Sequence, residues 1–378
     1  MMRRKAMVWG AGILIAGGAL GVGPILPVMA ASQPVTTITL YDSGDVNIEN
    51  MWQNYMIPLF EKEHPTIKVH LIYSTSGASN TDIYDRIAAA EAAHKNSGID
   101  IIGSSIAPEA AEAHLLEPVS PKVIPNVTKV SPSFLKAVND EAVPYRGSSV
   151  VLAYNSEFVK SPPKTLMGLL HWIKTHPGKF TYNTPSSGGS GAGFVQEVVN
   201  YYVPKKDEPI FETEYKPALE STWKKGLSVL KSLTPYIYRD GFYPNGNVAV
   251  LQLLANSSIW MAPVWSDMST SYKKEHLLPP SIKLTQLTPP MNGGPAYVGI
   301  VKNSPHLKQD NIFVNWLLTP AAQTIVVNEV DGYPGVEYKY APPKAKQVFG
   351  SIAGDSSPYW DAQFSTDLNA KWQATVAG

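Results

Sequence analysis

The apolar residues of the chain alternate between two spacings: short continuous runs typical of buried strands, and three- to four-residue repeats typical of helices. The run Thr36–Tyr41 predicts a first strand, and the helix that follows from Ile48 is expected to kink or to enter its last turn at Pro58. Further strands are predicted at Ile67–Tyr73 and Ile99–Gly103, each followed by a helix. Strands that alternate with helices predict an α/β fold with a parallel sheet.

Polar side chains come directly after each of these three strands. In a parallel α/β sheet the ligand lies beyond the carboxyl ends of the strands. The first part of the chain therefore predicts hydroxyls and a carboxylate at one edge of the sheet, contributed by Tyr41, Asp42, Ser43, Ser76, Ser104 and Ser105.

A second α/β unit is predicted after residue 155, where the long extended run Val143–Asn155 ends. It has a short strand at Phe180–Tyr182, a Ser/Gly loop and a helix from about Ala192. The first N–H groups of a helix have no partner within it, and with the helix dipole they favour an anionic or polar ligand. Ordinary capping and turn chemistry explain the same loop. The candidate contacts in it are Ser187, Gly188 and Ser190.

A further buried strand is predicted at Ser258–Trp265, and it ends at Ser266 and Asp267. Trp265 is the last residue of this strand, and Asp267 lies two residues beyond it. Trp265 can pack in the core, and Asp267 can cap the next helix.

The segment Met1–Ala30 predicts a cleaved signal peptide. It has a positive start with Arg3, Arg4 and Lys5, then a Gly-rich apolar run, and it ends in small residues suited to a signal peptidase. The paired arginines leave the general secretory and twin-arginine routes both open. The sequence contains no cysteine, so it has neither a disulfide nor a lipid-attachment cysteine. These features predict a soluble protein in the periplasm.

Length and charge narrow the class of protein further. Without the three basic residues of the leader, the chain has 28 basic and 31 acidic residues, a net charge near −3. This balance excludes the strongly basic surface that nucleic-acid binding requires. About 348 residues remain after the leader, which suggests two domains.

Motifs for covalent or metal chemistry do not fit the chain. No Lys follows the Ser/Gly loop as a P-loop requires, and Ala192 stands where a nucleophile elbow around Ser190 has its second Gly. The eight His show no paired metal-ligand spacing. We therefore predict no enzyme, no metal and no cofactor. Carboxylate pairs from distant positions leave a secreted hydrolase as the alternative class.

Several local phrases, taken in their order along the chain, resemble the extracellular solute-binding proteins of ABC importers, of the two-lobed class called type II. They are LYDSG, PLFEKEHPTIKVHL, VPYRGSSVVLAYNSEFV, SPPKTLMGLLHWIKTHPGKFTY, VAVLQLLANSSIWMAPVWSD and PAYVGIVKNSPH. The likeness covers most of the chain after the leader, and the branch it most resembles binds thiamine, polyamines and ferric iron. Leu166 departs from the pattern at a packing position where that family often has Trp.

The resemblance implies two α/β lobes, each with a mixed, mainly parallel sheet flanked by helices, joined by crossing strands and closing on a solute by hinge motion. The implied boundaries are 32–148 with 267–305 for lobe 1, and 149–266 with 306–378 for lobe 2. Carried over onto this sequence, the ligand contacts are the strand-end and loop residues already named, together with Tyr297 near the crossover. The implied partners are a small solute and the permease subunits of an ABC importer, and the implied state is a monomer.

The sequence indicates the charge of the solute less clearly than it indicates the fold. Tyr41, Trp265 and Tyr297 would form aromatic walls against a cation, with Asp42 and Asp267 as countercharges, which favours a cationic or zwitterionic organic solute such as a polyamine or thiamine. The Ser/Gly loop favours an oxyanion or phosphonate instead. Ferric iron, the other alternative, would require several Tyr oxygens, and the adjacent Tyr201 and Tyr202 fall at the far end of their helix.

Overall fold

The computed structural model describes residues 34–75, 77–104, 106–345 and 356–378. The strands within these ranges are β1 Thr36–Gly44, β2 Ile67–Thr75, β3 Ile101–Ser104, β4 Val143–Asn155, β5 Met261–Trp265, β6 Ile282–Thr285, β7 Gly293–Ile300 and β8 Tyr333–Pro334. The predicted leader Met1–Ala30 lies outside the described residues, and so do Ser76 and Ser105.

Helices connect and flank these strands. They are α1 Val46–Met51, α2 Ile57–Glu63, α3 Asn80–Ala92, α4 Ile106–Glu112, α5 Pro132–Lys136, α6 Leu166–Thr175, α7 Gly189–Asn200, α8 Glu208–Thr213, α9 Lys224–Leu233, α10 Tyr238–Gly241, α11 Asn247–Ala255, α12 Ser266–Lys274, α13 Leu307–Leu317, α14 Pro320–Glu329 and α15 Ala362–Trp372.

The strands form a mixed sheet in the order β2-β1-β3-β7-β4-β5, with β6 and β8 also paired to β4. Strands β1, β2 and β3 are parallel, as the strand–helix alternation predicts. The strand pairs that involve β4 or β7 are antiparallel. The predicted α/β class with a mixed sheet flanked by helices is confirmed.

Strand β4 connects the two halves of this sheet. Six of its first seven residues pair with β7, and residues Val150–Tyr154 pair with β5. The remaining residue, Tyr145, forms a bulge that interrupts the register between Pro144 and Arg146. A bulge bends a strand and redirects its side chains, and this one lies shortly before the change of partner from β7 to β5 at Ser149 and Val150.

Two large hydrophobic clusters lie on either side of this crossover, and β4 contributes Tyr145 to one of them and Val150 to the other. Other members of the first cluster are Leu40, Trp52, Phe60, Phe313 and Val326. Other members of the second are Leu152, Phe180, Phe194, Trp223, Phe364 and Trp372. Since each cluster packs around its own strands, the described chain has the two-lobed α/β architecture expected from the resemblance.

The lobe boundaries given above stay a prediction. The clusters favour a modified assignment, which we propose: Phe313 packs with the strands of the first lobe, and Leu278 packs with β4 and β5 of the second. The segments that contain Phe313 and Leu278 were each expected in the opposite lobe.

Some local elements differ from the sequence-based expectation. The helix around Pro58 continues to Glu63, because a π-helical turn at Trp52–Met56 precedes the proline and the helix resumes with Pro58 in its first turn, where its missing N–H costs nothing. The expected strand at Phe180–Tyr182 is only an isolated bridge from Phe180 to Met261. Helix α7 begins at Gly189, three residues before Ala192.

No helix among the described residues is both long enough and apolar enough to cross a bilayer.

Close packing of α9 on α7 supports the second cluster. A Cβ on Gly226 of α9 would lie 2.6 Å from the Cα of Val199 on α7. Although Ala is normally better than Gly inside a helix by roughly 0.5–1 kcal/mol, we expect Gly226→Ala to lower the free energy of unfolding by about 1–3 kcal/mol because the helices must separate. Denaturant unfolding measures this change.

The control is Ser232→Ala at an exposed position of the same helix, which should change stability little. A Gly226→Ala protein as stable as the wild type would show that the two helices pack less closely than described.

Candidate functional site

The carboxylate of Asp42 lies at the end of β1 and is fully buried. Its Oδ2 accepts hydrogen bonds from the Trp52 indole N–H at 2.5 Å and from the Tyr145 hydroxyl at 3.0 Å, and its Oδ1 accepts the N–H of Ser43 at 2.8 Å. Gly103 on the neighbouring strand leaves space for it, because a Cβ there would lie 2.7 Å from Oδ1. Asp42 therefore links β1, the π-helical turn and β4.

Arg146 follows the bulge in β4 and lies at the crossover. Its Nε donates to the Tyr145 hydroxyl at 3.1 Å, and one terminal nitrogen contacts Asp267 Oδ2 at 3.2 Å. Only 11% of its side chain is exposed. Burial by itself lowers the pKa of Arg146, but Tyr145 and Asp267 raise it above its ordinary value, so the guanidinium stays charged.

Asp267 is the second residue of α12 and is also buried. Its Oδ1 accepts the Ser148 hydroxyl at 2.6 Å and the N–H of Met268 at 2.9 Å, while Oδ2 faces Arg146. The side chain thus accepts an N–H of the first turn of its own helix and pairs with a cation at the same time, since a carboxylate can accept several hydrogen bonds.

Asp45 is a partly exposed carboxylate near Arg146 and Asp267. Its Oδ2 accepts the Asn247 side-chain amide at 2.8 Å, which joins the end of β1 to the start of α11. Burial raises the pKa of Asp45 to about 6, the Asn247 hydrogen bond lowers it, Asp267 raises it and Arg146 lowers it. We call Asp42, Asp45, Arg146 and Asp267 the ionic cluster.

Tyrosines surround the ionic cluster. The Tyr73 hydroxyl donates to the carbonyl oxygen of Asp45 at 2.9 Å, and the hydroxyls of Tyr333 and Ser149 lie 2.6 Å apart. Tyr359 is within electrostatic reach of Arg146, and 43% of it is exposed. Burial raises the pKa values of Tyr73, Tyr145 and Tyr333, so these phenols stay protonated.

The candidate residues predicted at the ends of the first strands are only partly assembled here. Asp42 lies in the ionic cluster and Ser43 is buried next to it. Tyr41 points to the other face of the sheet, where its ring packs among apolar residues and its hydroxyl donates to Asn80 at 2.7 Å. Ser76 and Ser105 lie outside the described residues, and for Ser104 only the backbone, the last residue of β3, is described.

The Ser/Gly loop is held by two asparagines. The side-chain oxygen of Asn183 accepts the N–H of Gly191 at 2.8 Å, and that of Asn247 accepts the N–H of Ser190 at 3.4 Å. The Ser190 hydroxyl is buried between the same two oxygens, and the Ser187 hydroxyl donates to the carbonyl of Thr184 at 2.7 Å. The N–H groups of Ser190 and Gly191 in the first turn of α7 thus have partners inside the protein, and the ligand role of Ser187, Gly188 and Ser190 stays a prediction.

The remaining predicted contacts lie apart from one another. Trp265 packs against the loop so closely that a Cβ on Gly189 would lie 2.5 Å from its indole ring. Tyr297 lies in the same small hydrophobic cluster as Tyr41, and its hydroxyl donates to the carbonyl of Phe134 at 3.0 Å. Of the three aromatic residues expected to form walls around a cation, Tyr41 and Tyr297 thus share one cluster, and Trp265 lies against the Ser/Gly loop instead. A ligand role for each stays a prediction.

The sequence reasoning missed most of the groups around Arg146. Arg146 itself is the only charged residue in the extended run Val143–Asn155, and a lone charge in a buried strand indicates a paired or functional group. No comparable sequence signal marks Asn247, Tyr333 or Tyr359. Tyr333 and Tyr359 belong to the carboxyl-terminal part of the chain, and only the tertiary structure brings them to the site.

The ionic cluster and the tyrosines around it offer charged groups and hydroxyls to a ligand. No group of three His, Cys, Asp or Glu suited to a metal occurs among the residues that the structure describes. Three carboxylates and one guanidinium instead provide fixed charges of both signs, surrounded by hydroxyls that donate and accept hydrogen bonds.

The Arg146–Asp267 pair gives a direct test of this geometry. Arg146→Met leaves a buried carboxylate without its cation, so we expect a loss of about 3–5 kcal/mol in the free energy of unfolding. In an Asp267→Asn background the same change should cost less, because the charge to be compensated is gone. A double-mutant cycle by denaturant unfolding measures the difference, and additive losses would show that the two side chains do not interact.

The comparisons with known proteins agree with this architecture. Residues 56–348 match the family model described as bacterial extracellular solute-binding protein. Comparison with the curated proteins gives no significant match.

Several solved structures share the fold. Iron-bound HitA from Pseudomonas aeruginosa has 20% identity, covers 90% of this chain and 99% of its own, and superposes with a TM-score of 0.66. Maltose-bound MalE3 from T. maritima has 17% identity, coverage of 91% and 94%, and a TM-score of 0.69. The substrate binding protein of an ABC transporter from Agrobacterium tumefaciens has 15% identity, coverage of 91% and 95%, and a TM-score of 0.65. Since the family model covers well over half of the sequence, the chain belongs to the bacterial extracellular solute-binding protein family.

Proposed function

We propose that this protein binds a small cationic or zwitterionic organic solute at the ionic cluster and delivers it to an ABC-type importer. The observation that carries the proposal is the composition of the cluster, in which Asp267 pairs with the guanidinium of Arg146 while Asp42 and Asp45 lie within electrostatic reach of it. Buried charges are costly unless they are compensated, so this excess of negative charge attracts a cation.

A zwitterion can use both signs of charge. Arg146 presents a planar fork of donors suited to a carboxylate, and the neighbouring aspartates suit an ammonium group. The tyrosines around the cluster add faces that attract cations and hydroxyls that orient polar groups. A solute that contacts both β4 and α12 would hold the two lobes together, which is the expected basis of closure.

The oxyanion alternative receives less support. An anion site at the start of α7 requires free N–H groups, and those of Ser190 and Gly191 donate to asparagine side chains. The excess carboxylates of the ionic cluster would also repel an anion.

Ferric iron is the other alternative, and a structural neighbour is titled iron-bound. Tyrosine binds ferric iron as a phenolate. Burial raises the pKa values of Tyr73, Tyr145 and Tyr333, so forming phenolates there would be costly. The exposed Tyr201 lies at the far end of α7 from the ionic cluster.

The cellular role follows from the family. We propose an exported protein, free in the periplasm after cleavage of the leader, that acts as a monomer and presents its solute to permease subunits without changing it chemically. A secreted hydrolase is the alternative of another class. The recovery of bound solute unchanged after unfolding distinguishes the two.

The first prediction from the proposed function concerns the sign of the charge on the solute. Protein stripped of carried-over solute by unfolding and refolding is heated with putrescine, spermidine, thiamine, glutamine, sulfate, phosphate or ferric citrate. A solute at a hundred times its Kd should add about 2.7 kcal/mol of stability, which corresponds to a rise in Tm of ~2 °C or more for a chain of this size. We expect this rise with at least one amine or zwitterion. Stabilisation by sulfate, phosphate or iron alone would contradict the proposal.

The second prediction uses the titration of Asp45. With a pKa of about 6 in the unliganded chain, its carboxylate is charged at pH 7.5 and largely neutral at pH 5. We expect the affinity for a bound amine to fall by ~10-fold between these pH values, because one countercharge is lost. Isothermal titration calorimetry measures the change.

Asp45→Asn should bind the amine more weakly at pH 7.5 and show little of this pH dependence, whereas Asp240→Asn, at an exposed turn, should behave as the wild type. The stability of the solute-free protein should change with pH in the opposite direction to the affinity. Because the pKa of Asp45 is raised by folding, its contribution to the free energy of unfolding is lost as the pH rises from about 4 to above 6. An affinity that rises on acidification would exclude Asp45 as a countercharge.

A further inference from the structure

Methionine is the side chain of this protein that mild oxidants attack, because the sequence has ten methionines and no cysteine. Six of the methionines lie within the described ranges. Met167, the second residue of α6, is 46% exposed. The other five are at most 1% exposed, and they are Met51, Met56, Met261, Met268 and Met291. Within the part of the chain that the structure describes, a dissolved oxidant therefore reaches only Met167 without an opening of the fold.

The sulfur of Met167 has a polar neighbour. The hydroxyl of Tyr202, two residues beyond the end of α7, donates to Met167 Sδ at 3.7 Å. A thioether is a weak acceptor, whereas oxidation converts it into a polar sulfoxide, whose oxygen accepts hydrogen bonds well. Burial and the neighbouring Tyr201 raise the pKa of Tyr202. The phenol therefore keeps the proton that it can donate to a sulfoxide oxygen.

The start of α6 also suits a sulfoxide. The S–O bond places negative charge on its oxygen, and negative charge is favoured in the first turn of a helix. Helical side chains lean toward the N-terminus, so that of Met167 lies beside this turn. The face of α6 that packs in the second hydrophobic cluster consists of other residues, namely Leu166, Leu169, Leu170 and Ile173. An added oxygen on Met167 therefore requires no rearrangement of the core.

This position lies far from the ionic cluster. Asn247, which donates to Asp45, also accepts the N–H of Ser190 at the start of α7. Tyr202 lies beyond the other end of the same 12-residue helix, a distance of ~18 Å along its axis. A modification of Met167 is thus separate from the site of the proposed function.

We propose that Met167 is an oxidation site: it is the first of the described methionines to become a sulfoxide, and the sulfoxide oxygen accepts the Tyr202 hydroxyl, so that the fold stays intact. The oxidant is a peroxide. A lone pair of Sδ attacks one oxygen of hydrogen peroxide, the S–O bond forms as the O–O bond breaks, and the sulfur loses two electrons while the peroxide is reduced to water. Methionine sulfoxide reductases reverse the change.

The rate of oxidation is the first test. The purified full chain is treated with hydrogen peroxide at pH 7.5, and peptide mapping by mass spectrometry follows each methionine with time. We expect Met167 to be oxidised ~10-fold or more faster than each of the five buried methionines, since these are reached only through transient opening. A comparable rate at any of the five would overturn the proposal. Met167→Leu is the control, and none of its described methionines should then be oxidised rapidly.

The thermal stability of the oxidised protein is the second test. Oxidation at Met167 should leave the Tm of the wild type within ~1 °C of the reduced protein, whereas in Tyr202→Phe it should lower Tm by ~1–3 °C, because the sulfoxide has lost its donor. Tyr201→Phe is the matched control: it removes a hydroxyl from the exposed neighbour and should behave as the wild type.

The two measurements decide separate parts of the inference. Slow oxidation of Met167 would show that its sulfur is not accessible, and the inference would fail. An equal fall in Tm on oxidation of the wild type and of Tyr202→Phe would show that the sulfoxide does not use the Tyr202 hydroxyl, and would overturn the assigned role of that residue. Neither result depends on the solute, so the proposed function is tested independently.

Discussion

One strand shared by two halves of a sheet governs the rest of this structure. Backbone hydrogen bonds hold the beginning of β4 to β7 and its end to β5, so β4 must pass through the junction of the two hydrophobic clusters. The bulge at Tyr145 lies in the part of β4 that pairs with β7, shortly before this change of partner, and Tyr145 and the next residue contact each other there. Polar groups placed there are buried by both lobes, and this makes their pairing obligatory.

The ionic cluster satisfies this requirement only in part. Arg146 is compensated by Asp267, which also accepts an N–H of the first turn of α12, and Asp42 accepts hydrogen bonds from Trp52 and Tyr145. Asp42 and Asp45 also lie within electrostatic reach of the same guanidinium. A site with such an excess of charge is less stable than a neutral core would be, and binding proteins accept this cost where the missing charge is supplied by a ligand. Closure of two lobes on a cation would supply it here.

The fold by itself does not select the cargo. The structural neighbours include an iron-bound protein and a maltose-bound protein at similar TM-scores and below 25% identity. Their common architecture brings strand ends and helix starts to one cleft, and the chemistry depends on which side chains occupy those positions. For this chain the proposed cargo rests on Arg146 and the aspartates around it.

The sequence alone determined the local features of the protein. Apolar periodicity predicted β1, β2 and β4 closely, since their burial patterns are set by neighbouring residues, and the ordered phrases of the sequence identified the family. The site required the tertiary structure. Opposite faces of one strand send Tyr41 and Asp42 to different clusters, and distant segments bring Arg146 to Asp267 and Asn247 to Asp45, contacts between residues more than a hundred positions apart. Local patterns carry no information about such pairings, so the partners of each polar group were decided only when the two lobes packed against a common strand.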